Sequence, residues 1–311
     1  MTVKIIYPAD HSAWLAARNQ DITASVAGAL FGAHPYTTAY RIWAEKTGAI
    51  ERDEAENAAM RRGRLLEPAA VQMLREERPE WTVEYRQDNA YFRDPALRIG
   101  ATPDAFVLRP ETFGQGICQF KTSSEEAFRK YWIDPDTGDV EVPTWIAVQA
   151  IVEAKLTGAT WACVAVMVVG RGIEMHVFDV PLHDALWKAL INKAREFWEL
   201  TDAGAHPPLE WDRDGSTVID VYRATEPKRI DLTGDLETDT VVGRFEGARA
   251  DRRAAQKLED VLRAQVIYAL GSAEQGETTR FHIRAPERVR KDGATYRQIK
   301  IIAKEGSFDA Y

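Results

Sequence analysis

Three polar side chains lie in a pattern that predicts a β-hairpin with a reactive face. Asp104 opens the strand-like run DAFVLR, and Gln119 and Lys121 lie within the run GICQFKT. The stretch PETFGQG between the two runs is rich in Pro and Gly and predicts a turn centred near Phe113. If the two strands pair symmetrically about this turn, Asp104 lies opposite Thr122, one position from Lys121.

Side chains alternate along a strand, so Gln119 and Lys121 share one face while Cys118 and Phe120 point into the core. Together with Asp104, this face presents a carboxylate, an amide oxygen and an ammonium group. Such a set suits phosphodiester hydrolysis, in which a divalent cation polarises a phosphoryl oxygen and lowers the pKa of a bound water. Magnesium prefers oxygen ligands and keeps several waters, so few protein ligands suffice.

Two residues outside the hairpin extend this hypothesis. Glu67 is a candidate further carboxylate, and Gln149 is placed to position substrate or water. Lys121 would stabilise developing negative charge or orient the water. A simpler interpretation stays open at this point, because a Pro-Asp dipeptide is a common turn element and Gln-x-Lys is a common pattern of a solvent-facing strand.

Helical patterns dominate the first 78 residues. Thr23 is expected to cap a short helix that ends at Gly32, and Thr37 or Thr38 to cap a helix that ends at Gly48. A longer helix is predicted over 53–77, with a break or restart near Glu67 because Pro68 follows it. Further helices are predicted over 144–157, 182–200 and 245–272.

Strand patterns fall mainly in the middle of the chain. The predicted strands are WTVEYR, NAYF, DAFVLR, GICQFKT, WACVAVMVVG and EMHVFDV, and TRFHIRAP and TYRQIKIIA form a later hairpin. This order predicts an α/β core with a C-terminal appendage. We therefore expect one domain over 1–204, an irregular linker over 205–244, and a helix with a basic β-hairpin over 245–311.

Composition narrows the class of protein. The 311 residues carry a formal net charge of −8, which argues weakly against a protein that coats nucleic acid. Residues 280–304 nevertheless hold eight basic residues against two acidic ones, and Arg61, Arg62 and Arg64 form a second basic cluster. Taken alone, either cluster is more simply a solvated face.

Other chemistries find no support in the sequence. Cys118 and Cys163 lie in apolar runs, which favours buried thiols over a disulfide. The sequence contains no GxGxxG, GxxxxGK[ST], HExxH or GxSxG pattern. No apolar run approaches the roughly 20 residues that span a bilayer, and the N-terminus lacks a signal-peptide pattern, so we expect a cytoplasmic protein without membrane contact. Six tryptophans on apolar faces are interpreted as core residues: Trp14, Trp43, Trp145, Trp161, Trp187 and Trp198.

Five motifs in order resemble the phage lambda exonuclease and YqaJ-type viral recombinase family of the PD-(D/E)XK nuclease superfamily. They are RNQDITAS (18–25), GRLLE (63–67), TPD (102–104), QFK (119–121) and Gln149. The resemblance covers about residues 10–200. It implies a restriction-endonuclease-like core, in which helices flank a mixed central sheet.

The resemblance also implies roles for individual residues. Asp104 corresponds to the central metal ligand and Lys121 to the catalytic lysine, while Glu67 corresponds to the helix glutamate beside the metal. Gln149 corresponds to the glutamine that follows the catalytic hairpin. Arg18 and Ser25 correspond to the pocket that holds the 5′-phosphate of a DNA end: an arginine fork suits a phosphate, and a hydroxyl at a helix start adds a donor.

One departure from the family pattern concerns the metal site. Gln119 stands where the family usually has glutamate. The glutamine amide still offers an oxygen to a metal ion, but it lacks the negative charge of a carboxylate. Asp94, Glu125 or Glu126 are candidates to compensate. Two alternatives follow, an active nuclease or a nuclease-fold DNA-binding protein with weakened catalysis. A third is an interaction protein whose basic hairpin contacts another protein.

The function implied by the resemblance is 5′→3′ exonuclease activity on linear double-stranded DNA in phage-type homologous recombination. Mg²⁺ is the implied cofactor, and Mn²⁺ is expected to replace it. The implied partners are double-stranded DNA ends, a single-strand annealing protein and further copies of the chain in a ring. A phage-encoded protein of this kind would work in the bacterial host cytoplasm.

Overall fold

Two long apolar runs form the centre of the larger unit in the computed structural model, which describes residues 2–51, 57–86 and 89–304. These runs become two neighbouring parallel strands, whose residues 116–120 and 161–168 are buried. Parallel strands need a crossover between them, and helices supply it here. The strands of this unit are β1 (Lys4–Ile6), β2 (Ile22–Thr23), β3 (Thr82–Tyr85), β4 (Tyr91–Asp94), β5 (Ile99–Ala101), β6 (Ala105–Arg109), β7 (Thr112–Ser124), β8 (Trp161–Val169) and β9 (Ile173–Val180).

The strands form two sheets. The central sheet has the order β3-β6-β7-β8-β9, in which only β7 and β8 are parallel, and a smaller sheet has the order β1-β4-β5-β2. The helices of this unit are α1 (His11–Asn19), α2 (Ala24–Ala27), α3 (Ala39–Thr47), α4 (Ala58–Glu77), α5 (Glu125–Trp132), α6 (Thr144–Thr157), α7 (Asp184–Asp202) and α8 (Trp211–Val221), with a 3₁₀ turn at Gly28–Phe31.

Helices cover both faces of the central sheet. On one face, α4 contacts β3, β7, β8 and β9, and Val71 and Leu74 pack with Phe120 and Cys163. On the other face, α6 contacts β7 and β8, and its apolar residues join Ile117 and Val164 in the larger core. This arrangement confirms the expected mixed central sheet flanked by helices. Burial on both faces explains why β7 and β8 read as nearly continuous apolar runs.

The predicted register of the β6–β7 hairpin is wrong. Ala105 pairs with Cys118, so the next position along each strand brings Asp104 beside Gln119 rather than opposite Thr122. The turn lies between Arg109 and Thr112, not at Phe113. The register shifts between Val107 and Arg109, so that β7 has extra residues relative to β6 at this point. Gly114 lies in this part of β7, with φ +85°.

The expected break near Glu67 is also wrong, because α4 runs unbroken through Pro68. Proline removes one backbone donor and crowds the preceding turn. Here Pro68 is exposed, while Ala70, Val71 and Leu74 of the same helix are buried in the core. Tertiary packing on the sheet thus outweighs the local cost. The predicted segment 53–56 lies outside the described residues.

Helix caps follow the sequence with one exception. Thr38 caps α3 by accepting a hydrogen bond from the Arg41 N–H, and Gly48 ends that helix in the left-handed conformation, both as predicted. Thr23 precedes α2 but makes no side-chain cap, since its hydroxyl pairs with Ser25 Oγ at 3.2 Å. That correction matters for the site described below.

The chain divides into two units between Thr225 and Glu226. The segment 205–244, expected to be irregular, contains α8 and the start of a helix much longer than 245–272. The second unit consists of α9 (Leu236–Leu270), β10 (Gln275–Glu277), β11 (Phe281–Arg284), β12 (Glu287–Val289), β13 (Thr295–Arg297) and β14 (Lys300–Ala303). Its sheets have the orders β10-β11-β14 and β12-β13. The two segments predicted to form a hairpin do pair, as β11 and β14, but β12 and β13 lie between them in the chain.

Part of the basic segment 280–304 serves the second unit itself. Arg297 donates from Nε to the Ala285 carbonyl at 2.8 Å and from Nη1 to the Gly271 carbonyl at 2.5 Å, which ties the end of α9 to the strands. Lys304 Nζ lies 3.1 Å from Glu277 Oε2. No helix of the described residues is long and apolar enough to cross a membrane.

Helix α8 is fastened to the start of α3 by buried polar contacts. Asp214 is fully buried, accepts the Thr38 hydroxyl, and accepts the Glu210 N–H at 2.8 Å. Arg213 donates to the carbonyl oxygens of His34 and Thr37. The Arg213 contacts supply hydrogen-bond donors to the backbone carbonyl groups of the loop before α3.

We predict that Asp214→Ala destabilises the larger unit by about 1–3 kcal/mol, because it leaves the buried Thr38 hydroxyl and the partly buried Glu210 N–H without this acceptor. The measurement is the free energy of unfolding from urea titration. Asp220→Ala removes an exposed carboxylate from the same helix and serves as the matched control. Equal stabilities of the two variants would contradict the anchoring role.

Candidate active site

The Asp104 carboxylate is held by the edge of strand β7. Its Oδ2 accepts the Phe120 backbone N–H at 2.8 Å and the Gln119 side-chain amide. Gln119 is buried, at 3% exposure, because it lies on the covered side of β7 facing α6. Its Oε1 atom is buried without a hydrogen-bond partner among the described residues. The Gln119 Oε1 atom is therefore an unused hydrogen-bond acceptor beside the Asp104 carboxylate.

A chain of hydrogen bonds leads from β7 into helix α6. Lys121 Nζ donates to Gln149 Oε1 at 3.0 Å, and Gln149 Nε2 donates to Glu153 Oε1 at 2.9 Å. Gln149 and Glu153 are four residues apart on one helix, which places them on the same face. Glu153 is only 1% exposed. Lys121 is therefore linked to two side chains of α6.

Glu67 approaches from α4, on the other side of β7. Its Oε1 accepts the Tyr85 hydroxyl at 2.9 Å. The charge of Glu67 acts on the Asp104 carboxyl, as described next. The structure therefore brings together Asp104, Gln119, Lys121, Gln149 and Glu67, the residues that sequence motifs selected.

The electrostatics of this cluster are dominated by desolvation. Desolvation and the charge of Glu67 raise the pKa of Asp104 to about 7, against the lowering effects of Lys121, the Phe120 N–H and Gln119. Burial, reinforced by the charge of Asp104, raises the pKa of Glu153 well above its ordinary value. Carboxylates this close to one another favour a cation between or beside them.

Arg18 and Ser25 form a second cluster at the end of α1. Arg18 Nη2 donates to Ser25 Oγ at 3.1 Å, and the Arg18 guanidinium lies 4.2 Å above the Trp14 ring. Lys46 Nζ donates to the Arg18 carbonyl at 2.7 Å, which adds a second positive charge nearby. Ser25 stands at the start of α2, where backbone N–H groups are unpaired within the helix. Two cations and a hydroxyl suit a phosphate group.

The two clusters are connected. Trp14 Nε1 donates to Thr102 Oγ1 at 3.2 Å, two residues before Asp104. His34 makes a hydrogen bond to the Ser25 backbone, and its pKa is lowered to about 4 by burial and by the charges of Arg213 and Lys121. His34 is therefore neutral at physiological pH and adds no charge to the phosphate cluster.

None of the three carboxylates suggested as substitutes for a glutamate at 119 reaches this site. Asp94 is buried and accepts the N–H groups of Ala96 and Leu97 in the turn after β4. Glu125 lies against Gly170 and contacts Arg129, and Glu126 is exposed. None of these three candidates compensates for the missing charge, because each is committed elsewhere or faces solvent.

Sequence reasoning missed Glu153 and His34. The spacing of Gln149 and Glu153 is a usable signal, since an acidic residue four positions along a buried helix shares the face of the glutamine. Trp14, Trp43 and Trp145 are only partly buried, whereas Trp161, Trp187 and Trp198 are core residues as predicted. The two cysteines are buried free thiols, also as predicted.

The residues present fit a hard cation with few protein ligands. Among the described residues no group of three or more His, Cys, Asp or Glu side chains has the arrangement of a metal site. The unpartnered Gln119 Oε1 and the Asp104 carboxylate, with Glu67 nearby, are oxygen donors of the kind that magnesium takes while keeping several waters.

Comparison with solved structures finds weak likenesses. Two structures of the alkaline exonuclease LHK-Exo from Laribacter hongkongensis, one of them in complex with dAMP, match with 18% and 20% identity, both with a TM-score of 0.48, covering 67% of this chain and 99% of that one. A putative exonuclease from Eubacterium rectale matches with 11% identity and a TM-score of 0.44, covering 71% of this chain and 94% of that one.

Comparison with curated protein sequences finds no match. A family model does match: the YqaJ-like viral recombinase domain aligns with residues 13–160, a segment that contains Arg18, Ser25, Glu67, Asp104 and Gln149. This agrees with the resemblance that the sequence motifs indicate. Over residues 13–160 the chain is therefore similar to the YqaJ-like viral recombinase domain.

Proposed function

We propose that the protein is a metal-dependent exodeoxyribonuclease that degrades the 5′-phosphorylated strand of linear double-stranded DNA during recombination. The observation that carries this proposal is that Asp104 pairs with Gln119 while Lys121, whose charge acts on Asp104, pairs with Gln149, and that Arg18 pairs with Ser25. A nuclease needs oxygen ligands for a cation, a fixed ammonium group and a phosphate anchor, and this arrangement offers all three. The match of residues 13–160 to the YqaJ-like viral recombinase domain supports it.

Asp104, Gln119 Oε1 and Glu67 would hold a divalent ion, for which Mg²⁺ is proposed and Mn²⁺ a replacement. When bound, such an ion polarises a phosphoryl oxygen and lowers the pKa of a coordinated water. Asp104 supplies the charge, and the Phe120 N–H and the Gln119 amide fix its Oδ2 atom. The carboxylate is thereby oriented before any substrate arrives, which limits the reorganisation that the reaction requires.

Lys121 acts at the scissile phosphate. Its ammonium group is held by Gln149 Oε1 at 3.0 Å and keeps two further N–H donors for a phosphoryl oxygen or a water. Negative charge grows on the phosphoryl oxygens in the transition state, and a fixed cation at that point stabilises it. Gln149 keeps the ammonium in place without neutralising its charge, because an amide is uncharged.

Arg18 and Ser25 would bind the terminal 5′-phosphate and so set the direction of digestion. A guanidinium binds a phosphate through two parallel hydrogen bonds, and the Ser25 hydroxyl adds a third. A DNA strand that is held by its 5′ end is cleaved from that end. The ring-like homo-oligomer and the single-strand annealing partner implied by the resemblance remain predictions.

We predict that Asp104→Ala and Lys121→Ala each lower nucleotide release from an end-labelled linear duplex by about 100-fold or more. The assay is a digestion time course with and without Mg²⁺. Lys155→Ala, which removes a lysine of α6 paired with Asp184, is the matched control and keeps activity. A gel shift of the duplex without cleavage by the unaltered protein would instead support the weakened DNA-binding protein, the alternative that Gln119 favours.

We predict that Arg18→Ala abolishes the preference for 5′-phosphorylated over 5′-hydroxyl ends. A hydrogen bond to a charged group contributes about 1.5–3 kcal/mol, so the loss on phosphorylated ends is about 10- to 100-fold. The rates are compared on two duplexes that differ only in the 5′ group, with Arg41→Ala as a surface control. Equal losses on both duplexes would make Arg18 a structural residue.

We predict opposite effects of Gln119→Glu with and without a divalent ion. Without one, the free energy of unfolding falls by about 1–3 kcal/mol, because Asp104 loses a donor and gains a neighbouring charge. With Mg²⁺, the added charge raises the affinity about tenfold, read as a larger ion-induced shift in the unfolding temperature. Gln115→Glu, on the exposed part of β7, changes neither quantity. If Gln119→Glu leaves both unchanged, Gln119 does not contact the ion.

A further inference from the structure

Four aromatic rings form a cluster close to the candidate active site. His34 and Tyr36 lie in the loop before α3, Tyr131 lies in α5 and Trp145 in α6. The ring centres are 6.0 Å apart for His34 and Tyr36, 6.1 Å for Tyr36 and Tyr131, 5.5 Å for Tyr131 and Trp145, and 6.4 Å for Trp145 and His34. Tyr131 and Trp145 pack against the larger core, whereas Tyr36 is 70% exposed. Three rings therefore support one tyrosine that stands at the protein surface.

The loop that carries Tyr36 is fixed on both sides of this residue. Arg213 of α8 donates to the carbonyl oxygens of His34 and Thr37, and the Tyr36 N–H donates to His34 Nδ1 at 3.2 Å. Holding an exposed aromatic ring in this way costs conformational entropy without burying its apolar surface. A ligand that covers the ring binds more tightly, because this ordering is already complete.

The His34 ring links Tyr36 to the residues of the proposed reaction. Its Nδ1 accepts the Tyr36 N–H, so Nε2 carries the proton of the neutral ring and donates to the Ser25 backbone. The charge of Lys121 also acts on His34. A single side chain thus separates the Tyr36 backbone from Ser25, and a DNA strand bound at Ser25 and Lys121 passes close to the Tyr36 ring.

Basic side chains flank the aromatic cluster. The charge of Arg62 acts on the Tyr36 hydroxyl, and Arg62 Nη2 donates to the Thr122 carbonyl at 3.5 Å. Among the described residues, the buried Nε of Arg62 has no hydrogen-bond partner. The Lys130 ammonium lies 4.9 Å from the centre of the Tyr131 ring. Aromatic rings among cations are typical of surfaces that bind single-stranded nucleic acid, because bases stack on the rings and the cations bind phosphates.

We propose that Tyr36 is a stacking site for an unpaired nucleobase of the DNA strand that enters the candidate active site, and that Arg62 binds a phosphate of the same strand. The base is unpaired because neighbouring base pairs cover both faces of a base inside a duplex. Every base has an aromatic face, so the site takes any base. The identity of the strand rests on the proposed function, but stacking on Tyr36 can be measured without the reaction.

The first test measures the affinity for a 5′-phosphorylated single-stranded oligonucleotide without divalent ions, so that cleavage does not contribute. Tyr36→Ala weakens binding by about 5- to 100-fold, the range that base–aromatic stacking accounts for. Tyr36→Phe keeps the ring and stays within about twofold of the unaltered protein. The matched control is Phe113→Ala, which removes a ring that is 95% exposed at the opposite end of β7 from Lys121 and leaves the affinity unchanged. Equal affinities of Tyr36→Ala and Phe113→Ala would overturn the proposal.

The second test combines changes in the protein and in the DNA, which separates stacking from a structural role of Tyr36. One nucleotide at a time, counted from the 5′ end, is replaced by an abasic analogue. At the stacked position, loss of the base weakens binding to the unaltered protein as much as Tyr36→Ala does, and both changes together cost no more than either alone. Additive costs at every position would mean that Tyr36 contacts no base, and the proposal would fail.

The contact of Arg62 with a phosphate is read from the salt dependence of the same binding. Arg62→Ala lowers the slope of log affinity against log salt concentration by about 0.7, the value for one phosphate contact of a single strand. Tyr36→Ala leaves this slope unchanged, because stacking releases no counterion. An unaltered slope in Arg62→Ala would overturn the phosphate contact. If the protein releases no nucleotide with Mg²⁺, the proposed function fails, while these binding measurements still decide whether Tyr36 stacks on a base.

Discussion

The hydrogen bond from the Phe120 N–H to Asp104 is the contact on which the candidate site depends. The ladder between β6 and β7 stops at the Ala105–Cys118 pair, so a backbone donor of β7 beyond that point needs another acceptor. The Asp104 side chain takes this place, at 2.8 Å. A carboxylate is thereby fixed at the end of a buried strand without a cation as its partner.

From that contact, polar groups extend through an otherwise apolar interior. Gln119 and Lys121 follow on the covered face of β7, and Gln149 and Glu153 meet them from α6. Each link pairs a donor with an acceptor, which makes a buried polar network tolerable. The atoms left over are acceptors, Gln119 Oε1 and Glu153 Oε2. The Gln119 oxygen is the one that the proposed function assigns to a cation.

Local patterns made much of this structure predictable. Periodicity located α6, α7, β7 and β8, because apolar runs and helical faces depend on neighbouring residues alone. Thr38 and Gly48 marked the ends of α3 for the same reason. The residues of the site were found through motif order, which is also a property of the chain. The short strands β1, β2 and β5 escaped notice, since two or three residues carry too little pattern.

The sequence by itself determined which side chains are present and on which elements they lie, because helix and strand signals act over a few residues. Only the tertiary structure decided what those side chains contact. The shifted hairpin register set Asp104 beside Gln119, and packing on the sheet kept α4 unbroken through Pro68. The burial of Glu153 likewise follows from α6 lying against β7 and β8. Register and burial depend on residues far apart in the chain, so no local pattern specifies them.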